Sequence, residues 1–165
     1  MSKSVFLTGA SGFVGGATLC RLVAENYTVI AALRDGANLP KHQIATVKID
    51  SIDGATTWQG SLAGVDTVIH SAARVHVMND TETDPLAAFR RVNVEGTLNL
   101  ARHAVAAGVR RFILSVQSRL TAKVFREVLP IHRGTLPRPW ILTGSPRWRP
   151  SNSFVILRLR REWRL

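Results

Sequence analysis

Residues 4–15 read SVFLTGASGFVG, and this stretch decides the fold. SVFLT, residues 4–8, is a short apolar run that stops at a glycine, as a strand buried in a parallel sheet does. Residues 13–25, FVGGATLCRLVAE, carry helical spacing. Phe13, Ala17, Cys20 and Ala24 fall on one face, with Val14 and Leu22 beside it, and such an apolar face turns towards a core. Between strand and helix stand Gly9, Gly12 and Gly15, with Ser11 in the same loop. Gly9 suits the tight turn. Gly12 lets the backbone approach a pyrophosphate with no Cβ in the way, and Gly15 lets the helix pack closely on the strand. The free N–H groups and the positive dipole end of the helix then face the phosphates. A glycine turn with no ligand is the competing reading; the strand–loop–helix context favours dinucleotide binding.

Outward from this unit, TVIAAL (28–33), IATVKI (44–49), VDTVIH (65–70) and RRFIL (110–114) predict four more strands. Residues 83–107 predict a helix that starts near Asp84-Pro85, where proline fits a first turn, and ends at Gly108. Strands and helices in this order, with an optional helix before the fourth strand, indicate an α/β protein. The expected architecture is a Rossmann-like parallel sheet with helices on both faces. No internal repeat is present.

The chain has 165 residues, 45% apolar and 20% charged, which suits one domain with a real core and argues against wholesale disorder. Its one cysteine, Cys20, excludes a disulfide scaffold and a cysteine-cluster metal site. No apolar run approaches the ~18–20 residues that cross a bilayer. The opening MSKSVFLTGASGFVGG breaks into Gly and Ser too early for a secretory signal. A soluble, cytoplasmic protein without membrane partners is the expectation. The net charge of +11 is unevenly placed. Residues 1–114 hold 11 Lys/Arg and 9 Asp/Glu, whereas residues 115–165 hold 11 and 2, together with three of the four Trp and five of the seven Pro. Two compositions join near Ser115 and need separate readings.

The first 114 residues resemble a known family. The spacing Gly9-x-x-Gly12-x-x-Gly15 is similar to the extended short-chain dehydrogenase/reductase group, the NAD(P)-dependent nucleotide-sugar epimerases and dehydratases. VDTVIHSAARVHVM (65–78) resembles that family's D-x-V-x-H-x-A-A strand, and RVNVEGTLNLARHAVAAGVRRFI (91–113) its N-V-x-G-T-x-N-L helix and following strand. HSAARVHVM and VNVEGT look most like the sugar 4-epimerases of bacterial surface-polysaccharide pathways. The resemblance implies that Phe13 and Val14 lend backbone N–H groups to the pyrophosphate. Asp50 would accept from the adenine amino group, with Ser51 beside it. Ala72 and Ala73 would leave room for the cofactor, and Asn93 would brace the loop on the nicotinamide side. Each residue also has an ordinary reading: a strand-end aspartate, tight packing for the alanines, a locally bonded mid-helix asparagine. The partners implied are the dinucleotide and, in the intact parent enzyme, a nucleotide sugar; a homodimeric parent is compatible with the resemblance.

NAD and NADP binders differ after the second strand, where an acid bonds the ribose 2′-OH or an Arg accommodates a 2′-phosphate. Here Leu33 stands in the acid's place, Arg34 follows, and Asp35 comes late, which leans towards NADP with NAD still open. His70 reads as a packing residue. With His76 it lacks further ligands, so no metal site is expected.

The family chemistry uses a Tyr-x-x-x-Lys pair. The Tyr exchanges a proton with the sugar hydroxyl, and the Lys ammonium lowers the tyrosine pKa. The only tyrosine here is Tyr27, with Ala31 four residues on, so no catalytic residue is assigned. After Leu114 the resemblance stops, and the genetic code supplies a reason. Joining the third base of each codon to the first two of the next, Ser115–Lys123 can encode Ser-Ser-Val-Lys-Val-Asn-Gly-Glu. In the same way Pro139–Asn152 can encode Leu-Asp-Pro-Tyr-Gly-x-Ser-Lys-Met-Glu-Ala-Glu-Gln. The Asp is forced by Trp140-Ile141; the other positions are permitted by codon degeneracy. Residues 115–165 therefore read as a frame-shifted catalytic segment: a basic, Pro-broken, poorly ordered tail after an incomplete domain at 1–114. Within it, FVILRLRREWRL (154–165) suits either a basic amphipathic helix or a sticky strand. With no proper sixth strand, an exposed sheet edge is expected.

Two other function classes stay in view. One is a non-catalytic dinucleotide-sensing module. The other is nucleic-acid or acidic-surface binding through the Arg/Trp-rich tail; incidental charge from a wrong frame is the favoured reading there, so no specific nucleic-acid partner is expected.

Overall fold

The computed structural model describes residues 4–34, 44–74, 83–117 and 152–158. The expectations for Asp35, His76 and most of the tail lie outside these residues. The elements are β1 (Ser4–Thr8), α1 (Phe13–Ala24), β2 (Thr28–Leu33), β3 (Ala45–Lys48), β4 (Thr67–His70), α2 (Pro85–Arg90), a π-helical stretch (Arg91–Gly96), α3 (Thr97–Ala106), β5 (Arg111–Gln117) and β6 (Asn152–Arg158). The sheet order is β3-β2-β1-β4-β5-β6. The first five strands in this order run parallel, and β6 lies antiparallel on β5. The chain winds outward from β1 to β3, then returns to β4 on the other side of β1. That reversal is the topological switch point at which open α/β sheets bind ligands.

Both faces of the sheet are covered, which is why its strands read as continuous apolar runs. Val5 and Leu7 pack with Leu19 of α1, Val29, Ala31 and Ile69 on one face. Phe6 points the other way, into a cluster with Trp58, Val68, Phe112 and, from α3, Leu100 and Ala104. Phe6 and Trp58 meet edge to face, ring centroids 5.8 Å apart. At the amino edge, before β4, Asp66 is bonded by Arg110 and Arg111, the latter at 2.7 Å, and these partners hold its carboxyl below the usual range.

Four local expectations need correction. The face of α1 that carries Phe13, Ala17, Cys20 and Ala24 is exposed, Phe13 to 95%. Gly15 and Leu19 point inward instead, because Gly15 seats against the loop after β1 and so sets the rotation of the helix. Residues 51–66 form turns rather than a helix. The region read as one helix is divided by the π-helical stretch, although it begins as expected: Pro85 is in the first turn and Asp84 Oδ1 accepts from Ala87 N at 2.9 Å. Gly108 then leaves the helix at φ +78°. Lastly, among the described residues the sheet has five parallel strands, but the edge of β5 is not open. Asn152–Arg158 covers it, pairing from Arg111↔Arg158 to Gln117↔Asn152. Unpaired backbone groups along β5 are a template for any extended segment, and SFVIL is an apolar, β-prone one.

Candidate functional site

In a parallel sheet every strand ends at the same edge, so the loops after β1, β2, β3 and β4 gather there. The expected site residues fall on these loops. Gly9, Ser11 and Gly12 follow β1, and Phe13, Val14 and Gly15 open α1. Arg34 follows β2, Asp50 and Ser51 follow β3, and Ala72 and Ala73 follow β4. Arg34, Asp50, Ser51 and Ala73 are exposed; Val14 and Ala72 are half-buried.

The glycine turn is tight for reasons the geometry makes explicit. Gly9 has φ +76°, which side chains rarely adopt, and a Cβ on it would lie 2.6 Å from Ala72 N. Gly12 N donates to Gly9 O at 3.0 Å, and Gly12 caps α1 without any side-chain hydrogen bond. A Cβ on Gly15 would sit 2.0 Å from Gly9 O, so only glycine lets the helix start this close to β1. The first-turn N–H groups of α1 have no partner within the helix and no side-chain cap. They present a positively polarised backbone edge beside the switch point. Ser71 Oγ, one residue past β4, is buried with no hydrogen-bond partner among the described residues.

Asn93 lies in the π-helical stretch and is bonded to the loop after β4. Its Oδ1 accepts from Arg74 N at 2.7 Å and its Nδ2 donates to Arg74 O at 2.8 Å. Sequence reasoning did not single out Asn99. This buried α3 residue donates to Asp53 O at 3.0 Å and Thr56 O at 2.7 Å, fixing the turn just after Asp50 and Ser51. Within that turn, Asp53 accepts from Ser51 Oγ at 2.6 Å and Ala55 N at 2.8 Å. These bonds, the Ser51 one foremost, lower the Asp53 pKa. The signal available for Asn99 was its amide on a helix face otherwise buried through Leu100 and Ala104. Thr8, buried at the end of β1, and Thr97, half-buried at the start of α3, were also passed over; both contact His70. Tyr27 stands before β2, at the opposite edge of the sheet, packed against the α1-side core.

A five-stranded parallel sheet wound 3-2-1-4-5, with a glycine turn leading into a helix at its switch point, defines a Rossmann-like protein of the dinucleotide-binding type. The model of the NAD dependent epimerase/dehydratase family matches residues 5–139, and the chain belongs to that family. The match continues past Leu114, where the recognisable motifs stop. Over 114 residues the chain is 40% identical to UDP-glucose 4-epimerase of Vibrio cholerae, covering 68% of this chain and 34% of that protein. Over 117 residues it is 34% identical to a 3-beta-hydroxysteroid dehydrogenase of Mycolicibacterium neoaurum, covering 69% and 32%. Among solved structures, MoeE5 in complex with UDP-glucose and NAD superimposes with a TM-score of 0.56 at 27% identity, over 67% of this chain and 35% of that one. The chain spans about a third of the length of these relatives. No helix among the described residues is long and apolar enough to cross a membrane.

Proposed function

We propose that residues 1–114 are the dinucleotide-binding portion of an NAD(P)-dependent nucleotide-sugar epimerase or dehydratase, of the UDP-sugar 4-epimerase type that serves surface-polysaccharide synthesis in the cytoplasm. The observation that carries this reading is the seat of Gly15 on the Gly9 carbonyl, which brings an uncapped helix start to the switch point. A Cβ at Gly9 or Gly15 would strike the backbone that shapes that cradle, at Ala72 N and Gly9 O respectively, and the Ser71 hydroxyl, without a partner among the described residues, suits a polar ligand. The Phe13 and Val14 N–H groups bind the pyrophosphate, with Ser11 and Gly12 beside them. Asp50 accepts from the adenine amino group next to Ser51, Ala72 and Ala73 leave space for the cofactor, and Asn93 holds their loop. Arg34 is exposed after β2 with no acid in the place of Leu33, which favours a 2′-phosphate and so NADP. When bound, the nicotinamide supplies hydride transfer. The UDP-glucose and NAD held by MoeE5, and the name of the Vibrio relative, support a UDP-sugar as the parent's substrate.

This polypeptide binds without turning over. Its only tyrosine is Tyr27, at the wrong edge of the sheet, and no Tyr-x-x-x-Lys occurs in the 165 residues. The same observation favours the second reading, a dinucleotide-sensing module. Calorimetric titration with NADPH and NADH, beside a UDP-glucose epimerisation assay, tests both. Binding without turnover is expected; turnover by this chain overturns the missing-catalyst reading, and no binding of either cofactor overturns the whole. Resequencing codons 113–117 tests the frame shift, with a single lost base as the expected result.

A further inference from the structure

His70 sits at the carboxyl end of β4, fully enclosed, with the Phe112 ring 6.1 Å away. Two hydroxyls meet its ring. Thr8 Oγ1 lies 2.6 Å from Nδ1, and Thr97 Oγ1 lies 3.0 Å from Nε2. The direction of each bond follows from the next one along. Thr97 Oγ1 donates its single proton to Asn93 O at 2.9 Å, so towards His70 it accepts, and Nε2 carries the ring proton. Nδ1 is then a bare acceptor, and Thr8 Oγ1 donates to it. A lone pair of Thr8 Oγ1 is left for Ala72 N–H at 3.4 Å.

We propose that His70 is a positioning residue for the dinucleotide crevice. As a neutral imidazole protonated at Nε2, it ties the loops after β1 and β4 to α3 through a one-way chain of hydrogen bonds. The proposal rests on the function proposed above. The chain runs Ala72 N–H, Thr8 hydroxyl, imidazole, Thr97 hydroxyl, Asn93 carbonyl. Asn93 then closes it with both ends of its side-chain amide on Arg74. Thr8 is followed directly by Gly9, whose Cα faces Ala72 N so closely that no Cβ fits. Both walls of the crevice therefore hang on one imidazole. The opposite tautomer would require Thr97 to donate to Nε2 and abandon the Asn93 carbonyl, and it would leave Thr8 with no acceptor for its proton at Nδ1. Burial alone pushes the His70 pKa down to about 4, which keeps the ring neutral, as the chain requires.

The test uses the full 165-residue chain and two readouts. Long-range proton–nitrogen NMR, with the signal assigned by loss in a His70→Asn variant, is expected to show a protonated Nε2 and a bare Nδ1 at neutral pH. A merely packed histidine has no reason to hold one tautomer. Calorimetry with NADPH and NADH is expected to show binding weakened about tenfold by Thr97→Val, which leaves the Nε2 proton without an acceptor, and restored by Thr97→Ser. A protonated Nδ1, a charged ring, or wild-type affinity in Thr97→Val overturns the proposal. If the wild type binds neither cofactor, the function proposed above falls and with it the purpose of the chain. The tautomer, measured without ligand, still decides whether the chain of bonds exists, also where Thr97→Val fails to fold.

Discussion

Gly15 has no space for even one methyl group. A Cβ would come within 2.0 Å of Gly9 O and 2.6 Å of Gly9 C, both backbone atoms that cannot swing aside. Gly15→Ala is therefore expected to push α1 off β1, lowering stability by about 1–3 kcal/mol in a urea melt and abolishing dinucleotide binding. His70 makes a different prediction, in pH. Its folded pKa of about 4 lies below the ordinary 6.5, so between those values the unfolded chain binds more protons. Stability should be full above about pH 6.5 and fall as the pH drops towards 4, with a slope approaching about 1.4 kcal/mol per unit. Replacing His70 with Asn, which does not titrate, should flatten this part of the profile while lowering stability overall. The glycine turn was legible in the sequence because each glycine answers a backbone need that no other residue meets. The hydroxyls of Thr8 and Thr97 were not, because a threonine in a strand or helix reads as ordinary until its distant partner is known; Thr8 and His70 stand 62 residues apart.

At the scale of elements, α3 does more than cover the sheet. Asn99 grips two carbonyls of the turn after β3, and Gly96, at the end of the π-helical stretch that leads into α3, lies so close to Ile52 that a Cβ would meet its Cγ2 at 2.7 Å. The loop expected to receive adenine is thus shaped by a helix some forty residues further along the chain. Asn99→Leu, similar in size but without donors, should cost about 2 kcal/mol by leaving the Thr56 carbonyl unpaired and the Asp53 carbonyl with only its long bond from Thr56 N, measured by chemical denaturation. It should also weaken binding of ADP-ribose more than that of nicotinamide mononucleotide. The strands were readable as apolar runs. The rotation of α1 was not: the stripe of Phe13, Ala17, Cys20 and Ala24 satisfied the helical period, yet the contact of one glycine with the β1 loop outweighed it. The turns at 51–66 escaped for a similar reason, since what organises them is an amide from another element.

At the scale of the molecule, the parallel sheet and its order were implied by strand spacing and the family motifs, while for β6 the sequence offered a strand only beside a basic helix and gave no sign of its pairing with β5. Its backbone covers all seven residues of β5. Prolines at both Val155 and Ile156 would remove a ladder N–H whichever of the two residues points towards β5, because neighbouring residues alternate. The double variant is expected to free the β5 edge and self-associate with rising concentration, seen by light scattering, whereas the parent chain stays dispersed under the same conditions.

The return of the chain from β3 to β4 also sets a calendar for the crevice. Its two walls belong to strands separated by most of the first seventy residues, so the crevice is complete only once β4 has found β1. A bound dinucleotide can accordingly reward only molecules whose middle strands have already met. During synthesis it would act as an inspector of finished sheets rather than as a seed for unfinished ones.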